Sequence, residues 1–321
     1  MSSGASPTSR SSRAAPEPEP AARARGIGVS TLRLWLRAAR PRTLPAAVAP
    51  VVVGTALAVR EGRFAALAFV CALVGSVFIQ VGTNLSNDYS DARRGADTED
   101  RLGPVRLTAG GLMPPRRVLL GTWVAFAIAV AAGLYLIATT GWELLVAGVL
   151  SILAGVLYTG GPRPYGYAGL GEVFVFLFFG VVAVTGSYFA QTEELRWEAL
   201  ALSVPVGLLA TGILVVNNVR DLETDRRAGK RTLAVKLGRR AARRLYVATV
   251  ALAFAVPPLV WLAGGLSAWV LLTLVALPLA VPLVRTVSSR VDGPSLNAAL
   301  AGTGRLLGVF SLLLAVGVLL S

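Results

Sequence analysis

Asn87, Asp88 and Asp91 in the segment NDYSD and Asn217, Asn218 and Asp221 in NNVRD share one spacing, 130 residues apart, and each group is followed by a further acid, Asp97 or Asp225. These are hard oxygen donors in pairs, which suits Mg2+: it takes a few carboxylates and completes its shell with phosphate oxygens and water. Eight of the 17 acidic residues fall in these two segments. Each segment follows an apolar run that could span a bilayer, so its charge sits at a membrane boundary, where ionised groups are costly and mark function. The chain has no His and a single Cys, Cys71, which removes imidazole bases, imidazole metal sites and any intrachain disulfide. Chemistry must come from carboxylates, Arg, Lys, Tyr, Asn and a recruited ion.

Asn84, Asn87, Asp88 and Asp91 recur at helical spacing, as do Asn217 or Asn218, Asp221 and Asp225. Carboxylates on two facing helix ends can hold two Mg2+ ions, and a diphosphate could complete the coordination. Arg94, Arg101, Arg106, Arg220, Arg226, Lys230 and Arg231 are placed to neutralise its oxygens as it departs. One mixed-charge loop alone is more often a solvated loop than a metal site. Two at equivalent points of a repeat reverse that balance. Arg239, Arg240, Arg243 and Arg244 read as topology and headgroup anchors. Tyr158 is an interfacial anchor about as often as a site residue. The Gly-rich turn from Tyr158 to Pro162 lacks the Lys and the strand-to-helix context of a nucleotide loop.

The elements that position these residues follow from composition. With 55% hydrophobic and 15% charged residues and a mean hydropathy of +0.66, the chain is an integral membrane protein. Its +14 charge is carried almost wholly by Arg, and with the abundant Ala and Gly this suggests a bacterial cell membrane; no nucleic-acid partner is expected. Residues 1–30 hold no apolar stretch and read as a disordered cytosolic tail before a single intramembrane domain, 31–321. Apolar runs near the ~20 residues needed to cross a bilayer lie at about 43–60, 64–86, 117–139, 142–160, 170–191, 199–218, 245–264, 267–285 and 298–320. The expectation is an all-α polytopic bundle of nine transmembrane helices. With the amino terminus cytosolic, 27 cations fall on inner segments and three on outer loops, so both acidic clusters are cytosolic and the carboxyl terminus is outside. Helices 1–4 and 5–8 form two repeats, each with its cluster after the second helix, and the ninth is unpaired.

NDYSDARRGAD and NNVRDLETDRRAGKRTLAVKLG resemble the paired Asp-rich motifs of UbiA-type intramembrane prenyltransferases. In the first, Asp91 is followed by Asp97 across five residues, where the commoner form has an acid at the fourth position. That spacing, with ARPRTLPAAVAPVVVGTALA, DRLGPVRLTAGGL and YTGGPRPYGYAGLGEVFVFLFFG, resembles the branch acting on 1,4-dihydroxy-2-naphthoate. The resemblance covers about residues 35–245. It implies a polyprenyl diphosphate bound through Mg2+ held by Asp88 or Asp91, Asp97, Asp221 and Asp225, with Asn84, Asn87 and Asn217 assisting. It implies ionisation of the allylic C–O bond, attack by the naphthoate ring and loss of CO2 to give demethylmenaquinone. Arg42 and Arg163 are its candidates to meet the aromatic carboxylate or the diphosphate. The resulting expectations place Asp91, Asp221, Arg42 and Tyr158 at the reaction and Asn84, Asn87, Arg101, Arg106, Arg163 and Lys230 on the diphosphate.

Three other readings share part of this pattern. Another aromatic acceptor would keep the fold and the metal chemistry, and a terpene cyclase would ionise the diphosphate with no acceptor. An ion or anion transporter would place acids deep within its helices. Here the acids keep to one edge, with Glu172 the nearest exception.

Overall fold

The computed structural model describes residues 30–96 and 102–321, all helix, turn and loop. Asp97 and Arg101 from the acidic segment, and the amino-terminal tail, lie outside the described residues. In order, the helices are α1 (Thr31–Ala39), α2 (Pro45–Arg60), α3 (Ala66–Arg93), α4 (Pro115–Thr139), α5 (Glu143–Leu157), α6 (Gly171–Thr192) and α7 (Trp197–Arg220). There follow the short α8 (Leu222–Arg227) and α9 (Leu233–Leu237), then α10 (Arg239–Leu262), α11 (Ala268–Ser289) and α12 (Gly293–Leu319).

Seven of these are long and apolar enough to cross a membrane, or eight when α1 and α2, bent by 54° at a short break, count as one span. The remaining expected span, the fourth run at 142–160, corresponds to α5, whose 15 residues fall short of the usual ~20. The second expected run does not stop at the membrane edge but continues as helix to Arg93, so the first acidic cluster forms the last turns of α3.

Burial is uneven. α7 is the most enclosed helix, 72% of its apolar window being buried against 17% for α3. It packs with α2, α6, α10 and α12 around one large core that includes Leu57, Leu209, Tyr246 and Phe310. The close approach of α6 to α7 rests on two glycines. A Cβ on Gly180 would lie 2.7 Å from the Gly207 Cα, and the turns around it, Phe176–Val182, widen to a π-helix. Such a bulge re-aims side chains at little cost and recurs at functional sites. On the other side, α3, α4 and α5 present exposed Leu67, Leu120, Trp123, Trp142 and Leu150 outward. A patch of that size in water is an aggregation hazard, whereas in a bilayer it meets acyl chains. Between the two halves lies the site.

Candidate active site

A cavity of about 410 Å³ opens between α3, α5, α6 and α7. Asn84, Asn87, Asp91, Arg106, Tyr158, Asn217, Asp221, Asp225 and Lys230 all line it, so both acidic clusters face one space. Asp88, Arg42 and Arg163 do not line it.

The first cluster divides its labour by direction. Asp91, 3% exposed, accepts a hydrogen bond from the Tyr167 hydroxyl at 2.7 Å and lies 3.2 Å from Lys230 Nζ and 3.8 Å from Arg106 Nη2. Lys230 Nζ also sits 5.0 Å over the Tyr167 ring, a cation–π contact. Asp88 points elsewhere. Its two oxygens accept the backbone N–H groups of Leu107 and Thr108, each at 2.9 Å. A carboxylate spent on two amides is a clamp, and it holds the segment that carries Arg106 over Asp91.

Asn87 accepts from the Thr159 hydroxyl at 2.9 Å, tying α3 to the end of α5. Arg94 reinforces that tie by donating to the Thr159 and Gly161 carbonyls. Asn84 donates to the Ala39 carbonyl at 3.1 Å, and Gln80 to the Thr43 hydroxyl at 3.4 Å. These two side chains thereby hold the elbow between α1 and α2. At that elbow Arg40 has φ 54°, the left-handed region, and it lines the cavity. A non-Gly residue there carries strain of order 1–3 kcal/mol and persists only where surrounding contacts fix it. Arg42, two residues on, is exposed, as is Arg163.

The second cluster sits at the end of α7. Both oxygens of Asp221 accept from Arg220, at 2.8 Å from Nε and 2.6 Å from Nη2. Arg220 also donates to Asn217 and Asn297. Asp225 lies one turn on, its N–H donating to the Asp221 carbonyl, and its own carbonyl accepts the Lys230 N–H at 2.8 Å. The Arg231 N–H donates to the Tyr167 carbonyl, locking the loop of Lys230 against the loop of Tyr167. Gly169 permits this contact, since a Cβ would sit 3.0 Å from the Arg231 carbonyl oxygen and φ is +73°.

Below the polar mouth the walls turn apolar, with Ile79, Val130, Leu134, Leu145, Val149 and Ile152. Four rings line one side: Tyr158 meets Tyr165 edge-on at 5.4 Å, Tyr165 stacks on Phe174 at 3.9 Å, and Phe178 follows at 6.0 Å. Burial pushes the Tyr165 phenol above its ordinary value, so it stays neutral and donates to the Ala154 carbonyl at 2.8 Å.

The donor set fits a hard divalent cation: aspartate and amide oxygens on facing helix ends, with no sulfur or imidazole. Among the described residues no three acids, His or Cys gather into a preformed cage. An ion here must therefore draw part of its shell from ligand oxygens, which is the habit of Mg2+ with phosphates. Sequence reasoning missed Tyr167, Arg40 and Thr159 as cavity residues. Tyr167 and Arg40 lay within segments quoted above, but only the folding of two loops together shows which residue turns inward.

Over residues 47–301 the chain matches the UbiA prenyltransferase family. It is 42% identical over 281 residues to the 1,4-dihydroxy-2-naphthoate octaprenyltransferase of Mycobacterium tuberculosis, covering 88% of this chain and 95% of that one. The enzyme of the same name from Escherichia coli is 37% identical over 299 residues, covering 91% and 97%. Among solved structures, a UbiA homolog from Archaeoglobus fulgidus bound to GPP and Mg2+ superposes with a TM-score of 0.63 at 19% identity, covering 90% of this chain and 100% of that chain. An apo UbiA homolog from Aeropyrum pernix gives 0.62 at 17% identity, covering 88% and 98%. At such identities the likeness is one of fold.

Proposed function

Because the chain belongs to the UbiA prenyltransferase family, we propose that it transfers a polyprenyl group from polyprenyl diphosphate to 1,4-dihydroxy-2-naphthoate, with loss of diphosphate and CO2. The observation that carries this reading is the single cavity in which Asp91 and Lys230 face Asp221 and Asp225 above an apolar, aromatic-lined space. Its polar end suits a diphosphate and its apolar end a prenyl chain.

Asp91 on one side and Asp221 and Asp225 on the other would hold Mg2+, with Asp97 the further donor that the sequence offers, and the ion would neutralise charge on the diphosphate. Asn84, Asn87 and Asn217 stand beside these acids as neutral oxygen donors. Lys230 and Arg106 offer N–H donors to the diphosphate oxygens as the allylic C–O bond breaks and its electron pair leaves with the diphosphate. The faces of Tyr158, Tyr165 and Phe174 stabilise positive charge on the allylic carbon, as a ring quadrupole does for any cation. The electron-rich ring carbon of the acceptor that bears the carboxylate bonds to that carbon. Its bond to the carboxylate then breaks, releasing CO2 and restoring aromaticity. No protein base is required, which agrees with a chain lacking His.

We read the bundle as nine spans, α5 included, with the amino terminus and both acidic clusters on the cytosolic side of a bacterial membrane. Acid-bearing α3 packs on α4 and acid-bearing α7 on α10, equivalent partners in the two halves, which supports the repeat. The function is tested by incubating purified protein and Mg2+ with polyprenyl diphosphate and a panel of aromatic acids. A decarboxylated prenyl product from the naphthoate alone is expected. Prenylated 4-hydroxybenzoate, or a cyclised terpene formed without acceptor, would reassign the reaction.

A further inference from the structure

Arg239, Arg240, Arg243 and Arg244 occupy the first turns of α10, the helix end whose dipole disfavours cations. Arg239 with Arg243, and Arg240 with Arg244, are like charges at i and i+4, which destabilise a helix unless an anion answers them. Arg239 is answered: it donates to the Val219 carbonyl at 2.8 Å and lies 3.5 Å from Glu223. The other three line a groove of about 490 Å³ with Val247, Ala248 and Ser288, and no acidic residue is among its walls. Arg243 Nη2 donates to the Arg290 carbonyl at 2.6 Å, which fixes the guanidinium against the end of α11. Its Nε is buried and makes no hydrogen bond among the described residues.

The groove has a second character. Along α10 the exposed positions run from Arg240 and Arg244 to Val247 and Ala248, then Leu252, Ala255 and Leu259. Cations therefore crown a continuous apolar stripe that descends along a membrane-spanning helix. An inorganic anion would use only the crown and a neutral lipid only the stripe. An amphiphile with an anionic head uses both. None of these residues lines the cavity that holds Asp91 and Asp221, so this is a separate site.

We propose that this groove binds one anionic phospholipid, its phosphate among Arg240, Arg243 and Arg244 and an acyl chain along α10 past Val247, Ala248 and Leu252. The guanidinium fork matches phosphate geometry, and Arg243 is already oriented for it.

The test uses the full chain in mixed micelles carrying dioleoyl phosphatidylglycerol or dioleoyl phosphatidylcholine, with bound lipid counted by native mass spectrometry and Tm measured in parallel. One phosphatidylglycerol should be retained and raise Tm, with phosphatidylcholine doing neither. Replacing all three arginines by Gln should weaken that retention ~100-fold. The exposed pair Arg116→Gln with Arg117→Gln should leave it unchanged. Equal retention of both lipids by the wild-type chain overturns the proposal, whether or not the triple variant folds. So does an equal Tm rise with inorganic phosphate, which would assign the groove to a free anion, or an equal loss in the Arg116 and Arg117 control.

Discussion

Tyr167 donates its hydroxyl to Asp91 across 76 residues of chain, at 2.7 Å, while the face of its ring carries Lys230. One side chain from the loop after α5 thus joins the acid of the first cluster to the cation that follows the second. A neutral donor and two cations share the Asp91 oxygens and hold them in place, an arrangement of charge-assisted contacts that costs little reorganisation when a substrate arrives.

Tyr167→Phe should therefore keep the fold and the Lys230 contact but lose the hydrogen bond. A bond to a charged group is worth about 1.5 to 3 kcal/mol, so kcat/KM should fall ~10 to 100-fold. Asp91→Ala should abolish product while leaving expression near wild type. Wild-type turnover in Tyr167→Phe would show that Lys230 and Arg106 suffice to hold the acid.

Asp88 should behave differently from Asp91. Asp88→Ala leaves the Leu107 and Thr108 amides without their acceptor, at about 1–3 kcal/mol for a buried group. We expect lower thermal stability in detergent and a raised KM for the diphosphate, through loosened Arg106, with the Mg2+ requirement unchanged. A raised Mg2+ requirement at unchanged stability would instead make Asp88 a ligand.

Composition and apolar run length are global signals, and they were enough to read the bundle, the two acidic ends and their meeting in one site. Asp88 and Asp91 show where that legibility stops. Three residues apart, they lie only ~60° apart around a helix, so both fall on one broad polar face. The segment from Leu102 to Pro114 decides which of them is spent on backbone amides. Arg40 and Arg42 pose the same problem at an elbow, where a left-handed residue reverses the alternation a helix would give. Tyr167 and Asn297 were hidden because their partners are distant in the chain, 76 residues for Tyr167 with Asp91 and 77 for Asn297 with Arg220. After Glu143 the short α5 is apolar but for Ser151, so periodicity gave no reason to end it before residue 160.

Metal removal gives a direct check on the oxygen-only donor set. Turnover should vanish in excess EDTA and return with Mg2+ or Mn2+, which share a preference for carboxylate and water. Asp221→Ala and Asp225→Ala should each raise the metal concentration needed for half-maximal rate. Full activity in chelator would remove the ion from the reaction.

Orientation is testable with single cysteines in a Cys71→Ala background. Ala96→Cys and Ala228→Cys, beside the two acidic helix ends, should react with an impermeant reagent only from the cytosolic side, and Glu194→Cys only from the outside. Labelling of Ala96→Cys and Ala228→Cys from opposite sides would break the two-repeat arrangement.

Arg40 is the inward cation nearest the α1–α2 elbow, and the acceptor brings a carboxylate into a cavity whose walls are largely apolar, where an unpaired charge is expensive. If Arg40 meets that carboxylate, Arg40→Ala should raise the naphthoate KM ~10 to 100-fold, the loss of one charge-assisted bond. The KM for the diphosphate should change far less. Because φ is 54° at this position, Arg40→Ala also keeps a strained backbone, whereas Arg40→Gly relieves it. Both variants should show the same KM change if the guanidinium matters, and Arg40→Gly should be the more stable of the two. Arg42→Ala and Arg163→Ala, both at exposed positions, should leave the naphthoate KM near wild type. An equal rise in both KM values would move Arg40 to the diphosphate. A naphthoate defect in Arg42→Ala but not in Arg40→Ala would mean that the acceptor enters past the outer face of the elbow.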